Sequence, residues 1–331
     1  GRMKYLDIRE DEDGALRCHV LPADYSQVQT DDGEGISLEA SQDYWSARHE
    51  PPFKANLHTF LMHFVKQYQL SATHVNKFID VTGGGPREYL LSSILQFPKA
   101  VPYSARYGTA IHETIRYAYQ TAIREKKPPS LELVLQRFEE RLNRQKLATL
   151  DHELFLDRGR SSLTAWLAQK GGNFKPLDRF EFSFRHEASF VGLAHLSGNV
   201  DRMRIDPKGR TITVTDFKTG QPYHKWVNSN IRLYKYRQQL LFYKLLIESS
   251  RDYKSYRVET GIIEFVEPDE FGNIVQLELD YDDAEVEYMR KLIQAIWQSV
   301  QNLDFPDISA YPQTVAGIKQ FEEDLIKKAP V

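Results

Sequence analysis

The chain has 331 residues, 41% of them hydrophobic and 27% charged, an ordinary globular balance with length for one large domain or a domain with a helical addition. Its 43 basic and 46 acidic side chains leave a net charge of −3, so any affinity for nucleic acid has to come from a local groove and not from a global positive excess. Cys18 is the only cysteine, which excludes a disulfide framework or a site of several thiolates and fits a reducing, cytoplasmic setting.

Gly1-Arg2-Met3 is no signal peptide; a Gly ahead of Met reads as a cloning remnant and the chain as a piece of a larger protein. Residues 1–50 are polar, with the acidic stretch Asp31-Asp32-Gly33-Glu34-Gly35, and read as an irregular segment or connector. Leu57, Phe60, Leu61, Phe64 and Val65 recur at helical spacing, and Ser71 reads as the N-cap of a short helix through Phe78. Gly83-Gly84-Gly85-Pro86 breaks the chain before another helix near Arg87. An amphipathic helix is predicted over 107–126, with Ile111, Ile115, Ala118 and Ala122 on one stripe, then helices over 131–146 and 152–169. The period then changes. Phe180, Phe182 and Phe184, and Leu193 to Ile205, read as strands; Asp206-Pro207-Lys208-Gly209 is a turn, followed by a strand through Ile212, Val214 and Phe217. A helix from about Asn228 to Glu248 contains the longest nearly apolar run, Leu240 to Ile247, which Lys244 interrupts and which is far too short to span a bilayer. Strands Thr260–Val266 and Val275–Leu279 flank a turn near Phe271-Gly272-Asn273, and a last helix covers 282–302. The expected division is an N-terminal segment 1–50, a helical region 51–175, a mixed-sheet core 176–305 with helices on both faces, and a tail 306–331.

The residues that carry chemistry cluster around Thr211-Ile-Thr-Val-Thr-Asp216-Phe217-Lys218-Thr-Gly220. On a strand, positions i and i+2 point to one side, so Asp216 and Lys218 present a carboxylate beside an ammonium. Hydrolysis of a phosphodiester needs such a pair, one to hold a divalent cation and the other to orient water or neutralise charge on the phosphate. Asp-x-Lys alone is a poor signal, since it recurs at Asp206–Lys208 and Asp252–Lys254, and an isolated copy reads as two solvated charges. Only the 216–218 copy ends an apolar β-branched strand. Counting back through the Pro207 turn, Asp201 can lie near Asp216 across a hairpin ladder, where two like charges call for a cation; the bland alternative pairs Asp201 with Arg202 or Arg204. His112 falls one residue beyond the apolar stripe of its helix, and a lone helix His is usually a packing residue. Arg232, Tyr236, Gln239 and Tyr243 share one helix face suited to phosphate and base contacts, or simply a hydrated face.

Gly108-Thr-Ala-Ile-His112, Gly198-Asn-Val-Asp201-Arg202, Asp216-Phe-Lys218-Thr-Gly220 and Gln239-Leu-Leu-Phe-Tyr243 stand in the order found in the RecB-like branch of the PD-(D/E)XK nucleases, which the chain resembles over about residues 105–245. Leu70–Ile79 and Ile94–Pro98 resemble segments of the nuclease domain appended to UvrD-type helicases. The resemblance implies an α/β restriction-endonuclease-like core, a mixed central sheet flanked by helices, with an N-terminal helical extension. It implies His112, Asp201, Asp216 and the Phe217 carbonyl as ligands of Mg²⁺ or Mn²⁺, Lys218 as the catalytic lysine, and Gln239 and Tyr243 as active-site support, with Glu181 a loose match to an upstream acidic position. Some relatives hold an iron–sulfur cluster on four cysteines; this chain cannot, and Val81–Pro86 replaces their Cys-Pro pair. The implied activity is a DNA nuclease, exonuclease in preference to endonuclease, acting on single-stranded or unwound DNA ends in repair or recombination. The chain has no P-loop, so a helicase motor is expected elsewhere in the full-length protein or in a partner. The rival is a non-cutting DNA-binding or scaffold module. Lys218-Thr-Gly220 also resembles a motif of penicillin-binding enzymes, but no Ser-x-x-Lys accompanies it.

Overall fold

A computed structural model describes residues 4–10, 16–22 and 57–329. The chain divides into two compact units, residues 1–57 and 58–331. Within the first, strands β1 (Lys4–Glu10) and β2 (Leu16–Pro22) pair antiparallel, with Leu6 opposite Val20 and Ile8 opposite Cys18. The irregular segment expected over 1–50 is thus partly a hairpin, because Leu6, Ile8, Cys18 and Val20 alternate with period two within a polar composition. The acidic stretch 31–35 lies outside the described residues.

The second unit opens with helices α1 (Leu57–Val65), α2 (Ala72–Phe78) and α3 (Gly85–Tyr89), followed by a π-helical turn over Leu90–Ile94. Ser71 caps α2, accepting from His74 N at 3.3 Å. Helices α4 (Tyr103–Glu125), α5 (Leu131–Asn143) and α6 (Thr149–Lys170) come next. α4 begins a turn earlier than its apolar stripe suggests, because the Pro102 carbonyl accepts from both Ala105 N and Arg106 N. Strands β3 (Arg179–Ser183), β6 (Asn199–Asp206) and β7 (Thr211–Lys218) follow, with a small ribbon, β4 (Ser189–Val191) and β5 (Ala194–Leu196), between the first two. Helix α7 (Ile231–Glu248) then leads into β8 (Arg257–Phe265), β9 (Gln276–Asp280), α8 (Asp283–Gln301) and α9 (Val315–Lys328).

The main sheet has the order β3-β6-β7-β8-β9 and is antiparallel except for the β7–β8 pair. A parallel pair needs a crossover, and α7 supplies it. The sheet is packed by two apolar clusters. One joins α2, α7, α8 and α9 to Val200, Val214, Ile263 and Leu277; the other joins α4, α5 and α6 to Phe217, Val266 and Ile274. Helices therefore cover both faces of a mixed sheet. Among the described residues no helix is long and apolar enough to cross a membrane.

The expected tail 306–331 contains α9, whose Val315, Ile318, Phe321 and Leu325 are buried at helical spacing. α9 also buries Glu322 completely. Its carboxylate accepts from Tyr234 Oη at 2.7 Å, Tyr288 Oη at 3.1 Å and Gln238 Nε2 at 3.2 Å. Burial pushes its pKa up to about 7, against the opposing pull of the two phenol hydrogen bonds. A carboxyl whose folded pKa lies above the unfolded value binds more protons when folded. Its contribution to stability is therefore full below about pH 4.5 and lost as the pH rises through about 7. Glu322→Gln should flatten that dependence: urea unfolding at pH 5 and pH 8 is expected to show the wild type losing up to roughly 3 kcal/mol more than the variant. Equal losses in both proteins would place the dependence elsewhere.

Candidate active site

β7 is the central strand, and its C-terminal end holds the site. Alternation places Asp216 and Lys218 on one side and sends Phe217 to the other, where its ring is buried against Tyr119 and Trp166. Asp216 is almost fully buried, so its charge needs partners, and α7 returns over the strand end to provide them. Gln239 Nε2 donates to Asp216 Oδ1 at 2.7 Å and to the Tyr243 hydroxyl at 2.7 Å, while Gln239 Oε1 accepts from Lys218 Nζ at 2.9 Å. The amide orientation is thereby fixed, donor end to carboxylate and acceptor end to ammonium. Tyr243 Oη lies 3.5 Å from the same Asp216 oxygen. Lys218 Nζ sits 2.6 Å from Asp216 Oδ2 and 4.7 Å from the centre of the Tyr236 ring. The Lys218–Asp216 contact is a close, charge-assisted ion pair that meets the buried Oδ2.

The antiparallel register of β6 and β7 pairs Arg202 with Thr215, so the next step sets Asp201 across from Asp216. Asp201 Oδ2 accepts from Phe217 N at 2.7 Å and lies 3.4 Å from His112 Nδ1. His112 Nδ1 is also 3.6 Å from Glu181 Oε1. Ligand atoms of His112, Glu181 and Asp201 all fall within 4.8 Å of one another. Glu181 reaches the cluster by an unusual backbone. It stands between the Phe180–Arg202 and Phe182–Val200 pairs, opposite Asp201, and its φ of +48° is left-handed for a residue with a side chain.

Electrostatics follow from this crowding. Burial disfavours the His112 imidazolium, but Asp201, hydrogen bonds to Asp201 and Glu181, and the Asp216 charge outweigh it and push the pKa up to about 10. Burial likewise opposes the Asp201 carboxylate, and His112, Phe217 N–H and Lys218 together hold its pKa below the usual range. Asp216 moves the other way, up to about 6, because burial and the Asp201 charge exceed the help of Lys218. Lys218 is raised despite burial, since two carboxylates face it. The partners of the Asp216–Lys218 pair thus respond differently: the ammonium is secure, and the carboxylate is the member under strain.

Of the positions singled out from sequence, His112, Asp201, Asp216, Phe217, Lys218, Gln239 and Tyr243 converge here, Phe217 through its backbone. Tyr236 joins through Lys218. Arg232 is exposed in the first turn of α7 and contacts none of the carboxylates among the described residues. The alternative partners of Asp201 are occupied elsewhere, with Arg202 Nη2 3.2 Å and Arg204 Nε 3.7 Å from Asp178 Oδ2. The other two Asp-x-Lys copies lie in turns, Asp206 Oδ1 accepting from Lys208 N and Asp252 pairing with Arg251. Glu181 takes a firmer place than its sequence position indicates; the available signal is an acidic residue between Phe180 and Phe182 on a core-facing strand. Two carboxylates and an imidazole, with the Asp216 carboxylate nearby, form a donor set dominated by hard carboxylate oxygens that fits a divalent cation.

A profile described as the PD-(D/E)XK nuclease superfamily matches residues 69–314. Among solved structures, the chain is similar to one described as a "putative exonuclease" from Eubacterium rectale, at 11% identity and a TM-score of 0.43, over 77% of this chain and 88% of that one. No curated protein matches.

If His112, Glu181 and Asp201 form a metal centre, Asp201→Ala should abolish Mn²⁺ binding measured by calorimetry. Glu181→Gly should weaken it at least tenfold while costing little or no stability in urea unfolding, because glycine relieves about 1 kcal/mol of left-handed strain. Wild-type Mn²⁺ affinity in both variants would rule the cluster out.

Proposed function

The chain belongs to the PD-(D/E)XK nuclease superfamily, and from that premise we propose that it is a metal-dependent nuclease hydrolysing DNA phosphodiesters at Asp201, Asp216 and Lys218. The observation that carries the reading is the closed Lys218–Asp216–Gln239 network set against the His112–Glu181–Asp201 cluster. In this reading His112, Asp201 and Asp216 hold Mg²⁺ or Mn²⁺, joined by the Phe217 carbonyl and by Glu181. A cation held there supplies Lewis acidity and neutralises charge at the phosphoryl group.

The chain's own groups do the rest. Lys218, kept charged by the carboxylates and aimed by Gln239 and Tyr236, offsets negative charge developing on the phosphate and orients the attacking water. Gln239 and Tyr243 hold Asp216 in place. Arg232 and Tyr236, on the open end of α7, contact the DNA strand. We further assign the activity to single-stranded or unwound DNA ends, exonucleolytic rather than endonucleolytic, in repair or recombination in the cytoplasm. The resemblance to helicase-appended nuclease domains supports a motor in the same full-length protein or in a partner. A non-cutting scaffold is disfavoured, since His112, Glu181 and Asp201 crowd ligand atoms together beside the Lys218–Asp216 pair, an excess of acids that a surface binding only a polyanion would have no reason to carry.

Asp216→Ala and Lys218→Ala should each reduce Mg²⁺-dependent cleavage of end-labelled linear single-stranded DNA by at least a thousandfold, with an unchanged far-UV spectrum. Full activity in either folded variant would refute the assignment.

A further inference from the structure

A groove of about 460 Å³ opens beside the candidate metal cluster, lined by Gly108, His112, Glu113 and Arg116 of α4 on one side and by Glu181 and Asp201 on the other. Gly108, His112 and Arg116 are spaced four residues apart and so share one row of the helix. Arg116 stands one turn, about 6 Å of axial rise, beyond His112.

Arg116 has no acceptor among the described residues. The nearest acid on its helix, Glu113, is taken by Arg141 at 3.2 Å. The groove walls otherwise carry three carboxylates, Glu113, Glu181 and Asp201, which repel a phosphodiester; an uncommitted guanidinium at that distance is the group able to grip one, by paired N–H donors.

Gly108 points the same way. Glycine inside a helix is destabilising, yet the protein does not require one here. A Cβ at Gly108 would meet only Thr219 Oγ1, at the ordinary distance of 3.4 Å, whereas at Gly159 it would lie 2.0 Å from the Phe138 ring. Packing explains Gly159; at Gly108 a side chain would occupy the groove.

We infer that this groove carries the substrate strand past the metal cluster and that Arg116 holds the phosphate next to the one cleaved. The role is one of positioning, and it rests on the nuclease reading above.

Binding is measured in the Lys218→Ala background with Mg²⁺, using single-stranded oligonucleotides that each carry one neutral methylphosphonate at successive positions. Arg116→Ala should weaken binding of the unmodified strand about tenfold and lower the salt slope by about 0.7. One methylphosphonate should weaken binding to Arg116 protein to the same extent and have no further effect on Arg116→Ala, while Arg116→Lys recovers part of the loss. In the otherwise native protein, Arg116→Ala should raise KM with kcat nearly unchanged. Gly108→Leu, which fills the groove, should do the same without altering Mn²⁺ binding. If native protein cuts DNA but no methylphosphonate couples to Arg116, the positioning role falls and the nuclease reading stands; if native protein neither binds nor cuts DNA, both fall.

Discussion

Asp201 and Asp216 stand across from each other one step beyond the last β6–β7 pair, Arg202–Thr215, both largely removed from water, and the surrounding structure answers the cost of that juxtaposition. Each carboxylate is met from a different direction. Asp201 is met by the Phe217 N–H of the facing strand and by His112 from α4; Asp216 is met by Lys218 of its own strand and by Gln239 and Tyr243 from α7. The compensation is incomplete. With Glu181, three carboxylates share the site with one imidazolium and one ammonium, and the deficit of positive charge falls where hard oxygen donors converge. A divalent cation and a phosphate's counter-charge belong to the same electrostatic problem.

The topology makes this arrangement possible. Because β7 pairs antiparallel with β6 and parallel with β8, the chain must leave its C-terminal end and return by a helix. That helix comes back over the strand end it departed from, and its residues 239 and 243, one turn apart, reach the same carboxylate oxygen. The exit itself is pinned. Gly220, at φ +107°, donates its N–H to Glu267 Oε1 at 2.7 Å, and Glu267 is held by Arg158 of α6, also at 2.7 Å. The end of β7 is thus fixed from both faces of the sheet, which keeps Lys218 from drifting with a loose loop.

Local periodicity made much of this readable in advance. Strand parity alone puts Asp216 and Lys218 side by side, hairpin counting puts Asp201 opposite Asp216, and helical spacing puts Gln239 and Tyr243 on one face. The same spacing puts Arg232 on that face two turns away, exposed and apart from the carboxylates. Glu181 was less legible because its placement depends on one left-handed φ, which no pattern of residue types encodes. The partner of Arg202 and Arg204 was illegible for another reason. Asp178 lies in a loop whose position is set by packing between α6 and β3, a nonlocal matter. The hairpin β1–β2 and helix α9 were hidden by composition, charged residues masking a short apolar period in each.

Buried ion pairs do not by themselves identify the site. Arg202–Asp178 is at least as deeply buried as Lys218–Asp216. The two differ in what encloses them. Arg202 is closed in by the Tyr119 hydroxyl, the Asn173 carbonyl and the faces of Tyr119 and Phe180, a finished structural contact under α4. The Asp201 side of the other cluster opens on a groove, has a second and third carboxylate against it, and strains the backbone at Glu181 to bring one of them in. A structural ion pair gains nothing from added like charge, which only raises its desolvation cost. Crowding carboxylates at an open edge raises a cost that a bound cation would offset, so the excess of acids, more than the burial of any one of them, is what distinguishes this end of the sheet as the candidate site.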